Sequence, residues 1–284
     1  MADHIWISAT TSDWATAGNW TGGVPVSNGR ALLGASSSQV SLLTTVTQGG
    51  VDLDLLEASS LFAGNLGSAG TPLEIAADVV NWFGSGELHY LSHNNAGALK
   101  TDVMNLRSAN PGVGGTIGSK VGAAGEIDVL NFARGTWTIT NAQGINRLCT
   151  SYVTNPSGDV ALTVNNATGT IAEARFAAGN IQNNALITAC NVAGQARLTH
   201  GTAAITPAGT ITNLFMADRS YCAFNMAATI GLVVLDGESI LDLMQTGHVK
   251  VITEIYLLGR SKLLAGSNVT LPTGALYHDL RETK

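Results

Sequence analysis

Ile211-Thr212-Asn213-Leu214, Ile230-Gly231-Leu232-Val233 and Ile252-Thr253-Glu254-Ile255 are copies of one pattern, two apolar residues with two others between them. Ile127 with Leu130, Ile145 with Leu148 and Ile171 with Ala174 repeat it upstream. A blurred copy between Ile171 and Ile211 takes Val192 as its anchor, so the steps run 18, 26, 21, 19, 19 and 22 residues. Self-similarity at such a period marks a stack of small units, none of which buries its apolar face alone. The six isoleucines Ile127, Ile145, Ile171, Ile211, Ile230 and Ile252 are expected to form one inward column of the core.

A glycine opens a second short apolar segment in most units, at Gly135, Gly158, Gly179, Gly201, Gly237 and Gly259, while the Ser220 copy lacks it. Segments such as Thr136-Trp137-Thr138-Ile139 and Val160-Ala161-Leu162-Thr163-Val164 alternate apolar and polar residues, the period of a half-buried strand. Asn and Gly crowd the joins, where left-handed backbone costs them little. The first half carries the same grammar, with Leu55, Val79 and Val103 preceding Ile127 in steps of 24. These features predict an all-β fold, a single-stranded parallel β-helix or β-solenoid of about ten coils. The expected layout is an N-terminal cap or arm over residues 1–45, the solenoid over 46–270 and a C-terminal tail over 271–284.

With 45% hydrophobic and 12% charged residues, the chain has ample material for a core and few charges for a free surface. Subunit contact is the simplest cover for such a surface, and a homotrimer is the expected form. The net charge of −6 and the scattered basic residues disfavour nucleic acid as a partner. No apolar run approaches the length of a membrane span, and the first residues lack the pattern of a secretory signal, so neither membrane nor Sec export is expected. Cys149, Cys190 and Cys222 lie far apart and read as reduced thiols in different coils.

Trp6, Trp14 and Trp20 fall within the first twenty residues. They suit either a plug over the first coil or an arm that docks on a neighbour, and they are the expected interface residues. The run from Trp14 to Pro25 resembles the segment that opens bacterial and phage β-solenoids. The stretch from Gly50 to Leu91, GVDLDLLEASSLFAGNLGSAGTPLEIAADVVNWFGSGELHYL, is similar to tailed-phage virion proteins whose functional relatives are capsid decoration or cement proteins. That resemblance implies a clustered protein seated on a capsid shell, with the major capsid protein as its partner. It also implies location in the virion after assembly in the host cytoplasm.

Parallel β-helices also include polysaccharide-cleaving enzymes, which need two carboxylates about one bond. Asp52 with Asp54 and Glu126 with Asp128 are the candidate pairs, but both flank core positions as solvated strand residues do. Glu87, His89 and His93 form the one metal-like constellation, and plain strand alternation accounts for them equally. No catalytic residue and no cofactor are therefore expected. The function expected is a structural one, a decoration protein that stabilises a phage head. The alternative is a glycan-binding or glycan-cleaving spike or fibre component.

Overall fold

A computed structural model describes residues 2–8, 13–34, 47–92, 101–119, 127–141, 145–151, 160–165, 170–201 and 211–281. The fold is all-β, a parallel β-solenoid of about nine turns, close to the ten expected. The only helical segments among the described residues are the 3-10 turns Ala17–Asn19 and Gly274–Leu276. The chain divides into two compact units, Met1–Asn146 and Arg147–Lys284.

The spacing of the repeated pair explains the path of each coil. In an extended strand, residues three apart point to opposite faces. Ile171 and Ala174 nevertheless both point inward, with Ala172 and Glu173 both outward between them. The strand Thr170–Phe176 must therefore turn a corner there, and its pairing with Leu186–Val192 omits Ala172. Strands Ala228–Leu235 and Lys250–Leu257 omit Gly231 in the same way. A coil thus has a short side before the corner, a longer side after it, and a third side such as Asn180–Asn183.

Stacking then puts like on like. Ile171, Ile187 and Ile211 pair in register, and Ile230 pairs with Ile252. The six expected core isoleucines are all buried, at 2% exposure or less. The blurred copy is anchored by Ile187, not by Val192. Val192 pairs with Phe176 and Met216, five residues further along the strand, in a separate inward column. In the first unit the expected anchors do not share the Ile127 column, which continues into Thr101, two residues before Val103. Leu55, Val79 and Val103 run into Val129 and face outward, half-buried, while Leu56, Val80, Met104 and Leu130 beside them form the core. Both of these rows are apolar and both step by about one coil, so periodicity alone does not separate them.

The corner glycines also resolve into a column. Gly194, Gly237 and Gly259 each have positive φ three residues before a third-side strand, and Asp218 fills the same place with φ 57°. That residue, and not Ser220, replaces the missing glycine. Gly201, by contrast, ends the strand Arg197–His200 instead of opening one. A polar stack lies within the second unit, where the buried Asn183 amide meets His200 Nδ1 at 2.9 Å and His200 packs on Phe224.

At the N-terminus, Ala2–Trp6 runs parallel to Gly29–Leu33 on one edge and antiparallel to Trp20–Thr21 on the other. At the other end, Tyr277–Asp279 adds a short parallel strand to Lys250–Leu257.

Candidate ligand-binding cleft in the first unit

The outward face of the first unit is organised in rows because its strands stack in register. Beyond the corner, outward positions alternate with the core columns. Asp54, Asp78, Asp102 and Asp128 occupy the corner itself, as the flanking pairs Leu53 to Ala77, Val79 to Val103 and Thr101 to Ile127 require. Neighbours in such a row lie one strand spacing apart, about 4.8 Å. Burial, reinforced by the repulsion of Asp102 and Asp54, raises the pKa of Asp78 above the ordinary carboxylate value, and Asp52 is raised by burial and then by Asp78, Asp102 and Asp54. Next comes the aliphatic row Leu55, Val79, Val103 and Val129.

The third row is a ladder of side-chain amides. Asn131 Nδ2 donates to Asn105 Oδ1 at 3.0 Å, Asn105 Nδ2 to Asn81 Oδ1 at 3.0 Å, and Asn81 Nδ2 to Glu57 Oε2 at 3.3 Å. An amide is both donor and acceptor, so one residue type can continue this chain from coil to coil.

The fourth row, Ser59, Phe83, Arg107 and Arg134, borders a cleft of about 530 Å³ that Glu57, Ser60, Ser108 and Ala109 complete. Simple alternation would set Ala133 beside Arg107. A one-residue shift of register after Leu106, where Leu106 faces Phe132, sets Arg134 there instead. Such a bulge re-aims a side chain without breaking the ladder on either side. The backbone at the bulge is fixed, because the Arg134 carbonyl accepts from Ser108 N at 3.1 Å and from Trp137 Nε1 at 2.9 Å. Trp137 is buried against Phe132, their ring centroids 5.8 Å apart. Gly135 then turns the chain with φ 118°, and a side chain there would lie 2.6 Å from the Trp137 indole nitrogen.

Arg107 and Arg134 thus stand side by side on adjacent coils and line one cleft. Neither has an ion pair with a described residue, and Arg134 Nε is shielded from solvent without a hydrogen-bond partner. Their surroundings are acidic. The first unit holds eleven acidic and five basic residues, and the second holds nine of each. Among the described residues, Glu57 is the one carboxylate lining the cleft, and it accepts from Asn81. Two arginines beside a single carboxylate among the described residues suit recognition of an anion.

The structure distributes the expected site residues differently. Trp6, Trp14 and Trp20 come together, at 3%, 1% and 3% exposure. Trp20 meets Trp6 and Trp14 edge to face at 4.9 and 4.7 Å, and its Nε1 donates to the Trp14 carbonyl at 2.8 Å. Of the metal-like set, His93 lies outside the described residues. His89 is buried, its Nε2 3.1 Å from Glu87 and its Nδ1 2.8 Å from Thr116, so both ring nitrogens are engaged by protein. No group of three metal-ligating side chains occurs among the described residues. Glu126 also lies outside them. The three cysteines are free; Cys190 and Cys222 are buried, and Cys149 is only half-buried.

Arg107 and Arg134 carried no signal in the sequence. They are 27 residues apart, and only the bulge aligns them. Compared with protein-family models, curated proteins and solved structures, the chain matches none.

Proposed function

We propose that this protein is a structural assembly protein, a decoration protein of a phage head that seats its second unit on the shell and on further copies of itself. The observation that carries this reading is where apolar surface is left uncovered. Among the described residues, eight large apolar side chains are exposed; Ile7, Val26 and Leu61 lie in the first unit, and the other five, Met244, Val249, Leu264, Leu276 and Leu280, at 40% to 64%, lie in the last coils of the second. Phe215, Val234 and Tyr256 add an outward row on the same unit, with Leu232 beside it. Tyr256 is extended by His278, stacked on it at 4.1 Å. Concentrated exposed apolar residues mark an interaction surface, and the balance of charges in this unit lowers the cost of covering it. The resemblance of the stretch from Gly50 to Leu91 to tailed-phage virion proteins points the same way. The major capsid protein and a homotrimeric arrangement are the partners proposed.

Val249 and Leu264 are the residues to change, because they are exposed and their loss leaves the core intact. Sedimentation of the purified chain should give a trimer, and heads lacking the protein should bind it in many copies. The double variant Val249→Glu, Leu264→Glu should melt like the parent, sediment as a monomer and leave the heads bare. A parent chain that stays monomeric and fails to bind heads overturns the reading.

A further inference from the structure

We infer that the cleft beside Arg107 and Arg134 binds an acidic saccharide, a sugar chain carrying carboxylate or sulfate groups. The inference does not depend on the docking role of the second unit. Three features of the cleft converge on this ligand class. Two arginines aligned by a bulge, with no carboxylate partner among the described residues, offer paired planar donors of the kind that take oxyanions two bonds at a time. Phe83, the next residue along the same row, supplies an apolar ring against which the hydrogen-bearing face of a sugar can be buried. Glu57 and Ser60 line the remainder and match sugar hydroxyls, which both donate and accept.

Size and charge discriminate against other anions. A cleft of about 530 Å³ falls in the range of sites for ring-sized ligands and exceeds what a lone sulfate fills. A nucleic acid brings a dense row of phosphates, and the aspartate row on the same face repels it. An isolated oxyanion on an otherwise neutral ring meets the two arginines alone.

The test is calorimetric titration of the full chain with four probes: a neutral galactan oligomer ending in one galacturonate, the same oligomer bearing one sulfate, a neutral malto-oligosaccharide of equal length and a polyglutamate peptide. Saturable binding of either acidic sugar, and of neither control, is the expected result, and which of the two binds identifies carboxylate or sulfate as the anion. Arg107→Gln should weaken that binding about tenfold or more with unchanged melting, since Arg107 is exposed and makes no ion pair with a described residue. Ala109→Trp, which fills the cleft and keeps both charges, should abolish it. Raising the salt concentration should weaken the parent and leave the residual binding of Arg107→Gln less affected. Failure of both acidic sugars to bind, equal binding of polyglutamate, or binding indifferent to Arg107→Gln and Ala109→Trp overturns the inference.

Discussion

Asp218 holds a left-handed backbone conformation that its stacked neighbours assign to glycine, and the cost is offset locally. Its carboxylate accepts from Gly194 N at 2.9 Å, and its carbonyl accepts from Glu238 N at 2.6 Å, so the side chain ties one coil's turn to the next. Gly237, directly after it in the column, has no such latitude, since a Cβ there would lie 2.8 Å from Asp218 N. Gly237→Ala should therefore destabilise by about 1–3 kcal/mol, whereas Asp218→Gly exchanges a lost hydrogen bond for relieved strain and should change stability by less than about 1 kcal/mol. Denaturant unfolding of the two variants checks the ranking, and equal losses would refute it. Ile211, fully buried between Ile187 and the second unit's other core columns, sets the upper end of the scale. Ile211→Asp should cost several kcal/mol by placing a charge in a dry interior, and a soluble variant with parental melting would contradict the stacking.

At the level of the strand, the corner and the bulge decide what each face shows. The corner was legible as Ile-x-x-Leu, since only a bend lets residues three apart share a core. What the pattern could not tell was which of two parallel apolar rows faces inward where both exist, as with Leu55 and Leu56 or Val79 and Val80. The bulge at Ala133 was not legible at all. It inserts one residue into a strand that otherwise alternates regularly, and its effect, setting Arg134 beside Arg107, exists only in the register with the neighbouring coil. The amide ladder is a second consequence of register. Asn105 is its middle member, donating to Asn81 and accepting from Asn131. Asn105→Ala breaks both bonds and leaves two half-buried amides to water, which should cost about 1–2 kcal/mol. Asn105→Gln, whose longer side chain misplaces the amide, should recover little of it. Unfolding midpoints that are unchanged in both variants would show the ladder to be ornamental to stability.

Across the chain, charge is divided unequally, and the division makes stability depend on pH in opposite senses in the two units. In the first unit, burial and the stacked aspartates raise the pKa of Asp78 above its ordinary value near 3.8. The native state therefore holds its proton more tightly than the unfolded one, and the resulting stabilisation is complete below about pH 3.8 and is lost as pH rises through the raised native value. In the second unit, hydrogen bonds from Arg147 and Arg175 lower the pKa of Glu173, so its contribution is present above its ordinary value of 4.5 and is lost on acidification. All five tryptophans, Trp6, Trp14, Trp20, Trp82 and Trp137, lie in the first unit, so indole fluorescence reports on that unit. Asp78 is exposed and solvent screens it, so the effect is small. Asp78→Asn should raise the fluorescence-detected melting temperature by about 1–2 °C at pH 7, because it removes a like charge from between two neighbours. The difference between variant and parent should shrink as the pH falls and vanish only well below pH 3.8, where the carboxyl is protonated in the folded and the unfolded chain alike. Glu173→Gln should show the reverse dependence by circular dichroism, a loss at pH 7 that fades in acid. A pH-independent difference between Asp78→Asn and the parent, or one of the opposite sign, would mean that the aspartate row is too well screened to matter.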